Sequence, residues 1–261
     1  MELDWRKDWL ELADMVWPRR CGVCGGYLDT EEMYVCAECL KDMPLTYFWN
    51  WRGNPAEQIL WARTYLEGVV SLFYYSRDND YKELLHAVKY KGNVAMGRWL
   101  GRMLGGKMRG AAYPMPDVIV PVPLHWRRKW KRGYNQAEVI ARGISEGLSG
   151  QCSCENARAS VRYRGTEPVV HRIPVLTDIL HRIRYSTSQT RTGVGSKWEN
   201  VSGAFVLRDI KTAAERLSGR HVLLVDDVLT TGATAEACWD ALRGIPDVKV
   251  SYASAAFVQK P

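Results

Sequence analysis

The stretch His221-Val-Leu-Leu-Val-Asp-Asp-Val-Leu-Thr-Thr-Gly-Ala-Thr234 constrains this chain more than any other. Its first half, Val222 to Val225, is a short unbroken run of valine and leucine, the pattern of a strand buried on both faces of a parallel sheet. Two carboxylates, Asp226 and Asp227, stand where that strand is expected to end. A loop of Thr230, Thr231, Gly232, Ala233 and Thr234 follows, and then a helical pattern with Ala237, Ala241 and Leu242 on one face. Open α/β sheets bind ligands at the carboxyl ends of their strands, so strand, acid pair, loop and helix in this order describe a ligand site.

The loop chemistry favours a phosphate. Gly232 lets the backbone turn without a Cβ penalty, the threonines offer hydroxyl donors, and the start of the next helix contributes free N–H groups and a positive dipole end. The adjacent carboxylates would repel that phosphate, so they face something else: sugar hydroxyls, or a divalent metal that takes oxygen ligands. A ligand with an anionic end and a polyol or metal-bound part, such as a sugar phosphate, satisfies both halves.

On these residues, Val225 to Thr234 resembles the phosphoribosyl pyrophosphate (PRPP) signature of type I phosphoribosyltransferases. The resemblance implies that Asp226 and Asp227 address the ribose hydroxyls and Mg²⁺-linked contacts, and that Thr230, Thr231, Gly232, Ala233 and Thr234 wrap the 5′-phosphate. A response-regulator-like metal pocket or a solvated turn is the competing explanation of an acid pair at a strand end; the adjoining Thr/Gly loop weighs against both.

Elsewhere, Cys21-x2-Cys24 and Cys36-x2-Cys39, with Gly22, Gly25 and Gly26 permitting tight turns, suit a tetrahedral Zn²⁺ held by four thiolates. Disulfides compete for the same residues, but nothing marks a secreted chain. A closed four-thiolate site leaves no position for a substrate, so its role is expected to be structural. Cys152, Cys154 and Cys238 receive no role. No apolar run approaches the ~18 residues of a membrane span, and no basic head precedes an apolar core near residue 1, so a cytoplasmic location without membrane insertion is expected. Residues 1 to 18, with Trp5, Trp9, Leu12, Ala13 and Val16 at helical spacing between acidic residues, read as an amphipathic helix packed on the protein body. Residues 44 to 60, with Pro44, Gly53 and Pro55 amid aromatics, read as a connecting segment.

Apolar runs at Tyr65 to Tyr75, Asp117 to Val122 and Val248 to Val258 predict further strands, and helices are expected around 79–90, 94–109, 136–148 and 210–217. After the second of these strands comes Leu124-His-Trp-Arg-Arg-Lys-Trp-Lys-Arg-Gly-Tyr-Asn-Gln136. Arg127, Arg128, Lys129, Lys131 and Arg132 alternate there with Trp126, Trp130 and Tyr134. As a loop at a strand's carboxyl end, this segment could hold a pyrophosphate beside the acid pair, with Arg127 and Arg128 leading. The cation–ring alternation equally suits single-stranded nucleic acid, and a solvated basic helix start is the plainer alternative. The net charge of +7 agrees with an anionic partner of either kind.

Pro121-Val-Pro-Leu and Arg132-Gly-Tyr-Asn-Gln-Ala137, with Leu180-x-Arg182, Thr187-x-Gln189 and Asn200-Val-x-Gly-Ala-Phe205 downstream, resemble the ComF family. These competence-associated proteins join a four-cysteine zinc module to a phosphoribosyltransferase domain. The resemblance implies an α/β fold with a mostly parallel sheet flanked by helices and a small zinc ribbon. It divides the chain into the 1–18 helix, a module and linker over 19–55, and a phosphoribosyltransferase-like domain over 56–261. It also implies PRPP with Mg²⁺ as ligand and a part in DNA uptake, with single-stranded DNA and the uptake machinery as partners. A transferase of this kind displaces pyrophosphate at the ribose anomeric carbon; no residue stands out as its general base. Two segments depart from the family pattern: 149–172 reads as an insertion carrying Arg158, Arg162, Arg164 and Arg172, and Lys197-Trp-Glu stands where the family has an arginine.

Overall fold

The computed structural model of the protein describes residues 18–150, 172–183 and 203–259. All but the last residue of the expected amphipathic helix over 1–18, nearly all of the 149–172 segment, and the whole of Thr187-x-Gln189 and Lys197-Trp-Glu lie outside the described residues.

The central strand β5 spans His221–Leu229. It pairs in parallel with β2 (Val118–Pro121) on one side and with β6 (Lys249–Phe257) on the other, and β6 pairs in parallel with β1 (Gly68–Tyr74). The sheet order is thus β1-β6-β5-β2. Side chains alternate across β5: Leu223 and Val225 enter one core, Val222 and Leu224 the other. Burial on both faces is why the segment reads as a continuous apolar run.

The first core is roofed by α3 (Lys82–Tyr90), α4 (Val94–Met108) and α6 (Gln136–Leu148). The second is covered by α2 (Pro55–Gln58), α7 (Ile210–Leu217) and α8 (Ala233–Leu242), together with the antiparallel pair β3 (Leu180–Arg182) and β4 (Phe205–Leu207). The protein is therefore an α/β structure with a parallel sheet between helical layers. The cysteine-bearing segment, with α1 at Ala37–Lys41, packs on the first layer: Cys21, Leu28, Val35 and Met43 share a core with Leu84 and Met96.

Helices α4 and α6 touch backbone to backbone. A methyl group on Gly101 would strike the Ile140 carbonyl, and one on Gly143 would strike that of Arg98. Beside this contact the buried Glu146 is held by Arg98 and by Arg102, the latter at 3.5 Å.

Three expectations need correction. The acid pair does not end β5, because β6 runs on beside it and keeps the ladder intact through Asp226↔Ser254, Val228↔Ala256 and Leu229↔Phe257. The basic stretch is not a loop but a short helix, α5 (Trp126–Arg132). His125 caps it by accepting from the Arg127 N–H, and Gly133 ends it in the left-handed conformation. Finally, the segment between Pro44 and Leu60 is more than a connector: Phe48–Asn50 forms a 3-10 turn, and Asn54 caps α2 by accepting from Ala56 and Glu57 N–H groups.

Candidate functional site

The site opens where β5 carries its two carboxylates past the end of β2. Asp226 is half-buried and already supplied with donors: the Asp227 N–H reaches its Oδ1 at 2.8 Å and the Tyr252 hydroxyl its Oδ2 at 3.1 Å. Burial, with the neighbouring Asp227 charge adding to it, pushes the Asp226 carboxyl up to about 7. Asp227 turns to a different partner, Lys89 on the last turn of α3, whose Nζ lies 3.0 Å from its Oδ2. Burial works to lower the Lys89 ammonium, but the charges of Asp227 and Asp226 outweigh it and the net shift is upward.

Downstream, Thr231 and Gly232 turn the chain into α8. Gly232 has φ +78°, and a Cβ there would meet the Leu60 side chain, so both backbone and space demand glycine. The first intrahelical bond runs from Glu236 N to Gly232 O at 2.9 Å, so the amides of the preceding turn have no partner within the helix. Arg63 braces this turn from outside. Its guanidinium donates to the Thr231 carbonyl at 3.4 Å and pairs with Glu236 at 3.5 Å.

The cations of α5 do not act as one group. Arg128 and Arg132, one turn apart, are half-buried, whereas Arg127, Lys129 and Lys131 are exposed. Arg132 donates to Gln136 Oε1 at 2.9 Å and lies over the Tyr90 ring. Tyr134 donates to the Val88 carbonyl, and Asn135 Nδ2 to that of Val122 at 3.0 Å. The Arg-Gly-Tyr-Asn-Gln segment thereby ties α5 to the end of β2 and to the end of α3. Arg182, on β3, stacks on Phe205 and lies within electrostatic reach of both Arg128 and Asp226. Burial lowers the Arg182 guanidinium and Arg128 adds to that; burial likewise lowers His125, helped by Arg182, Arg127 and Arg128. Arg182 thus joins the two charged groups, lying within electrostatic reach of Arg128 on one side and Asp226 on the other, with the buried His125 beside the two arginines favoured as the neutral ring. On the opposite side of α5, Trp126, Arg127, Trp130 and Lys131 line an open groove. Trp130 is 88% exposed and Trp126 61%.

Sequence reasoning misses Lys89 and Arg63. Each lies on an element whose own pattern is ordinary, and no local spacing links either to residues 226–236. Arg182 enters a sequence reading only through a family resemblance, and its approach to Asp226 is visible only in three dimensions.

The four cysteines converge as expected. The sulfurs of Cys21, Cys24, Cys36 and Cys39 all lie within 4.8 Å of one another. Burial acts to raise the Cys21 thiol, yet N–H groups of Cys36 and Val23, each 3.4 Å from its Sγ, help bring it down to about 7. Burial and the surrounding thiols push Cys39 well up. Four sulfurs this close repel as thiolates, so their full deprotonation needs a cation at the centre, and the donor set fits a thiophilic metal. The Tyr81 hydroxyl donates to the Cys39 carbonyl at 2.6 Å, so α3 carries the cysteine cluster near its start and Lys89 near its end.

Residues 136–259 match the family model described as phosphoribosyl transferase domain. The chain is 27% identical over 236 residues to competence protein F of Haemophilus influenzae, covering 88% of this chain and 82% of that protein. It is also 28% identical over 155 residues to the DNA utilization protein YhgH of Escherichia coli K12, and 26% to that of Salmonella typhi. Those two matches cover 58% of this chain and 56% of either relative. Residues 136–259 thus carry the likeness to a phosphoribosyl transferase domain, and together with the parallel sheet and the four-cysteine cluster the chain is similar to competence protein F along most of its length.

Proposed function

We propose that the crevice at the carboxyl end of β5 binds PRPP or a related ribose phosphate, and that the protein acts in DNA uptake and use from the cytoplasm. The observation that supports this reading is that the strand bearing the acid pair runs into the Thr231-Gly232 turn while Asp226 lies within electrostatic reach of Arg182, itself close to Arg128. A ribose hydroxyl donates to Asp226 and Asp227, the 5′-phosphate takes the amides and hydroxyls of 230–234, and the pyrophosphate meets Arg128 and Arg182. The acid pair offers no ready cradle for a resident divalent ion, because three of its four oxygens already accept from Asp227 N–H, Tyr252 and Lys89. Mg²⁺ is therefore read as travelling with the pyrophosphate. Zn²⁺ is the metal proposed for the cysteine cluster, in a structural role. The setting follows from relatives named for competence and for DNA utilization.

PRPP with Mg²⁺ is expected to raise the melting temperature, and Asp226→Asn with Asp227→Asn to abolish the rise. No stabilisation of the unaltered protein at saturating PRPP overturns the reading.

A second reading has its own observation. The outer face of α5 presents Trp126 and Trp130 one turn apart, flanked by Arg127 and Lys131, and faces away from the crevice. Flat rings interleaved with cations suit single-stranded DNA through stacking and phosphate contacts, and this face is proposed as its docking surface.

A further inference from the structure

The acid pair carries a positive charge of its own. Lys89 comes from α3, outside both the loop of 230–234 and the basic helix, and places Nζ 3.0 Å from Asp227 Oδ2. The contact is no loose surface pair: the Lys89 side chain is only 21% exposed and that of Asp227 20%. Lys89 lies in the last turn of α3, where the negative end of the helix dipole favours a cation, and its stem emerges beside the buried Val88. Both Asp226 oxygens are also served, with the Asp227 N–H on Oδ1 and the Tyr252 hydroxyl on Oδ2.

An ammonium is a compact point charge with three donors. Mg²⁺ in the same place would demand near-octahedral oxygens, keep several waters and bring two charges to two carboxylates. The ammonium and the metal cannot share one position at Asp227 Oδ2, because like charges at contact distance repel in a partly buried site.

We infer that Lys89 is the resident counter-ion of the acid pair, occupying at Asp227 the place a divalent cation would take, so that the pair engages a ribose hydroxyl without a metal of its own. Lys89 is then a positioning residue. It holds Asp227 aimed through Oδ2 while leaving Oδ1 to the ligand, and any Mg²⁺ enters only on the ligand's pyrophosphate. The ligand half of this inference rests on the ribose phosphate reading; the counter-ion half does not.

The test uses the full chain with its cysteine cluster loaded with zinc. Mn²⁺ alone is titrated by electron paramagnetic resonance into the unaltered protein, Lys89→Met, Lys89→Arg, and Lys89→Met combined with Asp227→Asn. The expected result is no bound Mn²⁺ in the unaltered protein or in Lys89→Arg, one site gained in Lys89→Met, and loss of that site in the double variant. Ribose 5-phosphate, which has no pyrophosphate to carry a metal, is then followed by thermal shift with Mg²⁺ or with a chelator. Its affinity for the unaltered protein should not change between the two, whereas Lys89→Met should bind roughly tenfold more weakly in chelator. Equal Mn²⁺ binding by the unaltered protein and Lys89→Met overturns the assignment, as does ribose 5-phosphate binding to the unaltered protein that requires Mg²⁺. If ribose 5-phosphate shifts no variant while Lys89→Met still gains the Mn²⁺ site, the ribose phosphate reading falls and the counter-ion stands.

Discussion

The hydroxyl of Tyr252, on β6, donates to Oδ2 of Asp226, on β5, across 3.1 Å. Neighbouring strands that must stay in register past the end of β2 are thus joined at the residue proposed to meet the ligand. The same bond favours the ionised carboxylate, against the burial that holds its titration near 7.

That titration makes a pH prediction. An aspartate in an unfolded chain titrates near ~3.9, so the folded protein binds this proton more tightly. Its contribution to stability is complete below the unfolded value and is lost as pH rises through about 7. Between about pH 4 and about pH 7 the melting temperature of Asp226→Asn should fall less steeply than that of the unaltered protein. Ligand affinity should move the opposite way, rising as Asp226 ionises, and Tyr252→Phe should shift the midpoint of that rise upward. Identical pH profiles for the protein and Asp226→Asn would remove Asp226 as the titrating group.

Gly232→Ala should cost about 1–3 kcal/mol of stability, since it forces a Cβ into a positive-φ conformation and against Leu60. The turn proposed to hold the 5′-phosphate would also be displaced, so the thermal shift on adding PRPP should vanish. Calorimetry of the variant with and without PRPP checks both.

Gly101→Ala tests a contact remote from the ligand. A methyl group at that position meets the Ile140 carbonyl, and α4 and α6 would have to separate. A loss of about 1–3 kcal/mol in denaturant unfolding is expected, with the apparent ligand affinity of the folded protein unchanged. A stability change within a few tenths of a kcal/mol would show that the two helices are not in backbone contact.

Trp130→Ala and, separately, Arg127→Ala with Lys131→Ala address the outer face of α5. Loss of one stacked base should weaken single-stranded DNA binding by about 1–3 kcal/mol. The double charge substitution should instead flatten the dependence of affinity on salt. Fluorescence anisotropy at several salt concentrations separates the two effects, and DNA binding indifferent to all three positions rules out this face.

Removing the metal from the cysteine cluster should destabilise the whole protein, because Cys21, Leu28, Val35 and Met43 pack into the same core as α3 and α4. A thiol-competing chelator, or Cys36→Ser, should lower the melting temperature in one cooperative transition. A separate low-temperature transition that leaves the main one in place would show that the module folds independently.

Local chemistry makes several features legible from the order of residues alone. Leu223, Val225, Val222 and Leu224 announce a doubly covered strand because both faces are apolar, and Gly232 announces a turn because only glycine tolerates its φ. The cysteine pairs announce a four-sulfur cluster because two Cys-x2-Cys knuckles with glycines at their turns suit a tetrahedral metal better than disulfides. The helix Gln136–Leu148 is legible from its apolar period and the Asn135 cap. The basic segment reads as a loop and folds as a helix: His125 is not among the usual capping residues, and a run of cations resembles a solvated turn.

By itself, then, the sequence determined the strand with its acid pair, the Thr-Gly turn after it and the cysteine cluster, since each depends on residues that are neighbours in the chain. Tertiary structure alone decided that Lys89 pairs with Asp227, that Arg182 comes within reach of Asp226, and that Arg128 is half-buried while Arg127 and Lys131 are exposed. It also decided that Arg63 braces the turn at Thr231, 168 residues away. Charge pairing and burial depend on distance in space, and a local pattern holds no record of which remote side chain the packing of helices on a sheet brings within reach.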